Sequence, residues 1–535
     1  MKNTITKIVN IYTLILIVVF PLFMINRYYD ITEAKLYCYL YSTMAAAVLS
    51  LIVCIFCCVK NKNDRKQLAK AMNPANLKKS LRAADIFALI FLIVVILSTA
   101  TSEWVYEAFW GNAARLQGGF LLTWYVIGYL LISRFYVPKR YHADLMIAVG
   151  VFCSAWGILD YFGHSPFGIA DIQPFSSTFG NVNCVTAAEA MFLAAASVLF
   201  TGEVQDEKKA HIRSVLYLAA IVIIFMGLEC GRSANTLVSI GFIVCFIPFF
   251  AFRNKEGIVR YFIMLAAYIS AMLIVAWISF TFPEITNPYW GELAIMANGH
   301  VKQLLVLFVL LIAAAVALSQ IFKKTASKLT ADMKKKDAFL VSPSDKGLSR
   351  KLRMTWAVFG IIAFCGVVFL FYDANAGGHA ERYASVSSFL VFNDSWGHNR
   401  GFAWKLAAKY FKDFPLTKKL IGSGPETYSI YVLIHDFNTT MREFDFTFDS
   451  IHSEPLQRLF ETGILGFLSY YLMTAFACAD GLRAKSAGIK TAGAAFAFAA
   501  LTYTLQSIVN ISVPIVLPMA IMSIAAASAA GRIED

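Results

Sequence analysis

The chain has 535 residues, of which 58% are hydrophobic and 15% are charged, and its mean hydropathy is +0.62. A soluble domain of this length does not hide so much apolar surface, so the composition excludes a soluble protein and predicts an all-α polytopic membrane protein. The formal net charge is +13, but the basic residues lie in short segments between apolar runs. That distribution orients membrane proteins, and it argues against a nucleic-acid partner.

Apolar runs of about twenty residues, the length that crosses a bilayer, recur along the chain. They predict about 14 transmembrane helices, within a range of 12–14. The first run has no small-residue cleavage site, so we interpret it as a retained helix and not as a signal peptide. The predicted spans are 7–25, 37–59, 83–101, 117–134, 143–162, 182–201, 212–229, 234–252, 258–281, 300–322, 353–372, 455–476, 489–508 and 511–530.

The charges of the connecting segments predict the orientation. Lysine and arginine are concentrated in segments 60–82 and 323–353, and smaller basic clusters fall on the same predicted side of the membrane. The opposite segments are poor in both residues until residue 373. Because basic residues stay on the cytoplasmic side, both termini are predicted to be cytoplasmic.

One polar segment divides the predicted spans. Residues 1–372 hold the first eleven spans with short external loops, and residues 455–535 hold the last three. Segment 373–454 lies between them and is predicted to be external. Loops of that length are usually functional or disordered. Its aromatic residues and a predicted amphipathic helix at Phe402–Phe411, stopped near Pro415, favour function, so it is expected to carry part of a site.

Two arginines in the first part of the chain are candidates for that site. Arg115 is the only cation of the external loop at 110–119, where a glycine pair allows close approach. Arg232 lies in a tight external link between two spans, where an uncompensated arginine is costly. Arg232 is therefore an interfacial anchor, a partner for Glu229, or an anion-binding group facing a cavity.

Two further candidates lie in the long segment. Arg400 follows His398 and falls in the first turn of the predicted helix, where a cation opposes the helix dipole. That position suggests that an anion joins it, with a solvated surface arginine as the alternative. His452 precedes Ser453, a suitable N-cap, and Pro455, which suits a first helical turn. At this external helix start, His452 is a bystander, a metal ligand, or a base that works near neutral pH.

Seven short motifs occur in a fixed order along the chain. They are W-G-x-x-x-R-x-x-G-G at 110–119, G-N-V-N at 180–183, Gly-Arg at 231–232, Arg400 to Trp404, G-x-G-P-E-T-Y at 422–428, H-x-E-x-L-Q at 452–457 and E-x-G-I-L-G at 461–466. This ordered set resembles the O-antigen ligase and O-antigen polymerase family over about 104–465, with a looser likeness at 506–512. Asn-Val-Asn stands where Asn-Pro-Asn is usual in that family, Gly231 stands where Ser is common, and Ser453 stands where Asn is common.

The resemblance implies a GT-C-like fold and an inverting glycosyltransferase that uses neither a metal ion nor another cofactor. Such an enzyme lies among the lipids of the bacterial plasma (inner) membrane and works at its external face in surface polysaccharide assembly. It moves a glycan from undecaprenyl diphosphate to a hydroxyl of a glycan, lipid or protein acceptor. Arg232 and Arg400, with Arg115, are implied to hold the donor diphosphate, and His452 to activate the acceptor. The implied supporting residues are Glu454, His398, Trp404, Asn181 and Asn183.

Other functions remain open at this point. A flippase for the same lipid-linked glycans also has a cationic cavity, but flippases are usually built from two repeated bundles, and no obvious internal repeat occurs here. An ion-coupled transporter would use Asp160, Glu189 and Glu229 as a proton path. Ligase and polymerase activities are not distinguished. The carboxylates that a metal-dependent mechanism would use instead are Glu443 with Asp445, or Glu103 with Glu107.

Overall fold

The computed structural model describes residues 1–27, 29–113, 115–166, 175–202, 208–283, 292–333 and 344–533. Within those ranges the regular structure is helical, and no strand occurs. By length and composition, eleven of these helices are suited to cross a membrane. The prediction of a helical polytopic membrane protein is confirmed at that level, whereas the count of about 14 spans stays a prediction. Three shorter apolar helices match further predicted spans and lie at Gly119–Phe135, Asn235–Ala251 and Leu517–Gly531.

The helices follow the apolar runs because a bilayer requires every backbone polar group to be satisfied within the segment. Two short 3₁₀ turns, Ala380–Val386 and Ser507–Val509, interrupt the helical order. In chain order the helices are α1 (Lys2–Leu22), α2 (Ile31–Lys60), α3 (Lys62–Met72), α4 (Pro74–Ser80), α5 (Ala83–Ala100), α6 (Val105–Trp110), α7 (Gly119–Phe135), α8 (Arg140–Tyr161), α9 (Val182–Gly202), α10 (Lys208–Cys230), α11 (Ala234–Ala251), α12 (Lys255–Thr281), α13 (Glu292–Gly299), α14 (Val301–Met333), α15 (Ser344–Asn375), α16 (Ser387–Leu390), α17 (Trp396–Asp413), α18 (Leu416–Ile421), α19 (Tyr428–His435), α20 (Phe437–Phe444), α21 (Glu454–Leu482), α22 (Ala487–Gln506) and α23 (Leu517–Gly531).

The centre of the bundle is formed by α9, α22 and α23. The apolar part of α9 is buried along its whole length, and α22 packs closely against it. Alanine and glycine dominate the contact between α21, α22 and α23, and small residues let membrane helices approach closely. By contrast, α14 and α15 expose nearly all of their apolar surface. Those two helices therefore lie at the periphery, where lipid covers them.

Several helix ends meet through ion pairs at one end of the bundle. Asp85 lies in the first turn of α5 and is fully buried. Its carboxylate forms ion pairs with the guanidinium groups of Arg134, at 3.1 Å, and Arg532, at 2.5 Å. Arg82 pairs with Asp480 at 3.1 Å. These contacts place the start of α5 beside the ends of α7, α21 and α23. The assignment of this end to the cytoplasm stays a prediction.

Segment 373–454 packs on the opposite end of the bundle. It is anchored there by Ser102, whose hydroxyl donates to the Ser423 carbonyl at 2.8 Å. The predicted amphipathic helix is found within α17, which ends before Pro415, so that prediction is confirmed. The segment forms a small apolar core together with Phe460 of α21, and its members from the segment are Ala403, Leu406, Ala407, Tyr410, Phe414, Tyr428, Tyr431, Val432, Phe448 and Ile451.

Thiol labelling tests the orientation. In a variant without the ten native cysteines, Asn438→Cys in the long segment is expected to react with an impermeant thiol reagent in intact cells. Asn63→Cys, in the basic segment 60–82, is expected to react only after lysis, because basic connectors stay in the cytoplasm. Both side chains are exposed. Labelling of Asn63→Cys in intact cells would reverse the predicted orientation.

Candidate functional site

His452 lies immediately before α21, as the sequence predicts. Ser453 occupies the N-cap position and Pro455 lies in the first turn, but the Ser453 side chain makes no capping hydrogen bond within the described chain. Instead, the Glu454 backbone N–H donates to the Asn510 carbonyl at 3.1 Å. His452 itself has a φ of +55°, in the left-handed region that side chains rarely adopt. The start of α21 is therefore held by a distant segment and by a constrained backbone.

The charges of two arginines and one carboxylate act on the His452 imidazole. Burial, reinforced by the positive charges of Arg115 and Arg400 and partly offset by Asp449, lowers the pKa of His452 to about 4. Arg115 is itself neutralised, because its guanidinium donates to Asp449 in a fork with distances of 3.2 and 2.9 Å. The structure thus brings three sequence-predicted residues together. At neutral pH the imidazole is uncharged and available to accept a proton.

Arg400 is held by a constrained backbone at the start of α17. Gly397, His398 and Asn399 all have positive φ, and regular helix follows from Arg400 onward, in agreement with the predicted first-turn position. The Arg400 side chain is only 8% exposed, and its Nη1 donates to the Gly397 carbonyl at 2.6 Å. Burial lowers the pKa of this guanidinium. Because Arg400 is buried, the alternative of a solvated surface arginine is wrong. No carboxylate lies within 4 Å of its guanidinium among the described residues.

The Arg400 side chain lines a cleft between segment 373–454 and the bundle, whose empty volume is about 900 Å³ including its open mouth. His398 is exposed at the wall of the same cleft. Trp404 packs on Trp396, with a ring separation of 5.1 Å, and thereby supports the strained start of α17. The remaining lining is largely apolar and comprises Leu237, Val238, Ser388, Phe389, Ser395, Trp396, Gly397 and Val509.

Arg232 lines a smaller neighbouring cleft of about 260 Å³. Its φ is +50°, and its guanidinium lies 5.4 Å from the centroid of the Tyr161 ring. Burial lowers the pKa of Arg232. Glu229 lines the same cleft, but neither of its carboxyl oxygens has a hydrogen-bond partner in the described part of the chain, so the proposed Glu229 ion pair does not form there. Because Leu237 lines this cleft and the Arg400 cleft, the two arginines face adjoining spaces.

A network of amide side chains connects the Arg232 link to the start of α21. Asn183 accepts from the Ser233 hydroxyl at 2.6 Å through its side chain and from the Asn510 amide at 3.2 Å through its carbonyl. Gln506 accepts from both Asn235 and Asn510, at 3.1 and 2.8 Å. Asn181 accepts from the Asn183 backbone N–H at 2.9 Å just before α9. Asn181 and Asn183 therefore hold the Arg232 link in position relative to the segment at 506–512, and they do not face the clefts themselves.

The G-x-G-P-E-T-Y motif at 422–428 packs directly against the E-x-G-I-L-G motif at 461–466. Ser423 and Gly424 donate backbone hydrogen bonds to the Phe460 and Glu461 carbonyls at 3.2 and 3.0 Å. A side chain at Gly422, whose φ is +87°, would collide with the backbone of α21, and one at Gly463 would collide with the end of α18. Glycine is required there because two backbones touch. The contact places Glu426 beside Glu461, whose carboxylate accepts from the Glu426 backbone N–H at 2.8 Å.

Backbone strain occurs at four of these positions. Arg232, His398, Glu426 and His452 are not glycines, yet each has a φ between +50° and +61°. Such conformations cost of order 1–3 kcal/mol each and persist where the surrounding structure enforces them, often at functional sites. The strain therefore supports the assignment of these positions to one site.

Besides Arg115 and Glu454, the sequence did not predict the other acidic and polar residues of the cleft beneath His452 as site residues. This cleft has an empty volume of about 290 Å³, including its open mouth. The i, i+4 pairs Glu454–Arg458 and Gln457–Glu461 on α21 were a visible signal, since such residues share a helix face. The cleft is lined by Arg115, Gln117, Glu426, Ser450, His452, Ser453, Glu454, Gln457, Arg458, Glu461, Ile511 and Ser512.

Carboxylates suited to a metal ion are not gathered in the described part of the chain. No group of three or more His, Cys, Asp or Glu side chains is arranged there to hold one. Glu443 and Asp445 are both exposed to solvent. Metal independence nevertheless stays a prediction, which chelation tests below.

Comparison with known proteins finds no matching family model and no matching curated protein. The family resemblance therefore rests on the ordered motifs of the sequence.

Proposed function

We propose that this chain is an inverting glycosyltransferase that moves a glycan from undecaprenyl diphosphate to an acceptor hydroxyl at the external face of the bacterial plasma membrane. One observation carries the proposal. Two arginines, the buried Arg400 and the partly buried Arg232, face adjoining clefts without a carboxylate within 4 Å among the described residues, and Arg400 acts electrostatically on an uncharged imidazole. Cations withdrawn from water require a negative partner, and a lipid-linked diphosphate supplies one.

The arginines serve the departure of the diphosphate. Its negative charge grows as the bond to the glycan breaks, and a guanidinium neutralises that charge with two parallel hydrogen bonds. Each charge-assisted contact contributes roughly 1.5–3 kcal/mol. The apolar lining of the Arg400 cleft, which includes Leu237, Val238 and Val509, suits the polyprenyl chain beside the head group. Donor binding is thereby divided between an ionic and an apolar part.

His452 serves the attack of the acceptor. The acceptor oxygen forms a bond to the anomeric carbon, the bond from that carbon to the diphosphate oxygen breaks, and its electron pair leaves with the diphosphate. The acceptor proton passes to the His452 imidazole. Attack on the face opposite the leaving group inverts the anomeric carbon. Because diphosphate at Arg400 offsets the positive field on His452, donor binding raises the proton affinity of the base when it is needed.

Release of undecaprenyl diphosphate tests the function. Purified protein in liposomes is supplied with undecaprenyl diphosphate-linked glycans extracted from the producing cells, together with the remaining envelope glycans as acceptors. We expect glycan transfer with stoichiometric release of undecaprenyl diphosphate, at a rate that excess chelator does not change. A flippase would move the lipid-linked glycan without releasing the diphosphate. If chelation stops transfer and magnesium or manganese restores it, the arginine mechanism is wrong and the carboxylate pairs become the candidates.

A further inference from the structure

Four buried polar atoms without partners converge on the cleft beneath His452. Gln117 Nε2, Glu426 Oε2, Glu454 Oε2 and Arg458 Nε have no hydrogen-bond partner in the described part of the chain. All four side chains line this one cleft, and each residue is at most 5% exposed. A buried polar atom without a hydrogen-bond partner is costly, and more so when it is charged. Four of them around one space mark a polar binding site that the side chains of the described residues do not satisfy by themselves.

The orientation of the Gln117 amide is fixed by its neighbour. Its Oε1 accepts from the Ser512 hydroxyl at 3.3 Å, so Nε2 is the atom left free to donate. Arg458 Nε is also a hydrogen-bond donor. Glu454 Oε2 is an acceptor, and the other carboxylate oxygen, Oε1, already accepts from Arg458 Nη2 at 3.5 Å. The ligand must therefore donate and accept hydrogen bonds within a short distance. A phosphate or diphosphate supplies acceptors only, and it would be repelled by the carboxylates.

The number of hydroxyl groups follows from the same atoms. With Glu426 ionised, two carboxylate oxygens need two separate O–H donors, and a single hydroxyl has one. Burial and the neighbouring Glu461 raise the pKa of Glu426 to about 8. When Glu426 is protonated, its carboxyl group is a donor, so that Glu426, Gln117 and Arg458 offer three donors. One hydroxyl oxygen has only two lone pairs and accepts from at most two of them. In either state the ligand brings at least two hydroxyls besides the one that gives its proton to His452.

We propose that the cleft beneath His452 is the acceptor subsite and that it takes a sugar residue, which Glu426, Glu454, Gln117 and Arg458 hold by its hydroxyl groups. This inference rests on the proposed function and adds the chemical class of the acceptor. A serine or threonine side chain of a protein acceptor brings only one hydroxyl, and it would leave some of these four polar atoms without a hydrogen-bond partner. The free interior space is about the size of one water molecule, so the sugar ring stays at the open mouth and directs its hydroxyls inward.

Saturation-transfer NMR on the purified full-length protein tests the acceptor class. The probes are methyl glycosides of hexoses and N-acetylhexosamines, with N-acetylthreonine methylamide as the single-hydroxyl comparison. At least one glycoside is expected to bind and the threonine derivative is not. Glu426→Ala and Gln117→Ala should each weaken glycoside binding by about tenfold, the loss of roughly 1.4 kcal/mol of hydrogen bonding. Glu443→Ala, which removes an exposed carboxylate of the same segment, should leave binding unchanged.

Undecaprenyl diphosphate binding, measured on the same samples, separates this proposal from the proposed function. Both cleft variants should retain it, which also shows that they are folded. The acceptor subsite is overturned if no glycoside binds the wild-type protein, if both variants bind glycoside as well as wild type, or if the threonine derivative binds better than every glycoside. Glycoside binding without undecaprenyl diphosphate binding would leave the subsite standing and overturn the donor assignment instead.

Discussion

Replacement of His452 with alanine is expected to lower the rate of glycan transfer by about 10²–10⁴-fold, the range attributed to a positioned general base. The imidazole is uncharged at neutral pH and lies within the electrostatic reach of Arg400. In the proposed mechanism, its removal leaves the acceptor hydroxyl without a base to take its proton. Membrane insertion and undecaprenyl diphosphate binding should persist, because the side chain makes no hydrogen bond within the described structure that supports the fold. Initial rates with saturating donor measure the effect.

His435→Ala is the matched control. His435 lies in the same segment at the end of α19, is exposed, and lines none of the three clefts described here. Its replacement should leave the rate within about twofold, as for most exposed substitutions. Full turnover by His452→Ala would remove this residue from the mechanism, whatever the control shows.

The pH profile gives the same prediction a second readout. His452 is expected to lose its ability to accept a proton only as the pH falls through about 4, well below the ordinary histidine value of roughly 6.5. The acid limb of kcat/KM, which reports the free enzyme, should therefore lie near pH 4. The acid limb of kcat should lie at higher pH, because bound diphosphate offsets the field of Arg400. An acid limb of kcat/KM near pH 6.5 would contradict the arrangement of charges around the imidazole.

Arg232→Lys and Arg400→Lys are each expected to lower kcat/KM by about tenfold or more, nearly as much as alanine at the same positions. A lysine keeps the positive charge but offers a single ammonium group in place of the planar fork that binds two phosphate oxygens. The lost charge-assisted contact is worth roughly 1.5–3 kcal/mol. Initial rates and donor binding should fall together, because the ground state also loses a contact to the diphosphate.

Arg442→Lys is the matched control for the two arginines. Arg442 is an exposed arginine of the same segment whose guanidinium already pairs with Glu443 at 3.0 Å. A lysine at this position can keep the ion pair with Glu443, and such exposed pairs contribute little to stability. The transfer activity of the Arg442→Lys variant should therefore be unchanged. If Arg232→Lys and Arg400→Lys are as active as this control, both arginines are interfacial anchors and the diphosphate is held elsewhere.

Local features of the sequence predicted the elements that carry the site. The spans follow from runs of apolar residues, and α21 begins where Ser453 and Pro455 indicate, because helix starts depend on neighbouring residues. The last span is a partial exception, since α23 begins at Leu517 and not near residue 511. Asn510 contacts Asn183 and Glu454 there, and these contacts between distant segments replace the first helical turn.

The sequence alone determined that this chain is a helical membrane protein and that Arg232, Arg400 and His452 are candidate site residues. Hydropathy and motif order depend only on the order of residues along the chain. Only the tertiary structure decided which charges are already neutralised. Arg115 is neutralised by Asp449, 334 positions away, whereas Arg400 has no carboxylate that close among the described residues. The tertiary structure also joined Gln117, Glu426 and Arg458 in one cleft. Electrostatic and hydrogen-bond partners are set by distance in space, and helix packing fixes that distance independently of separation along the chain.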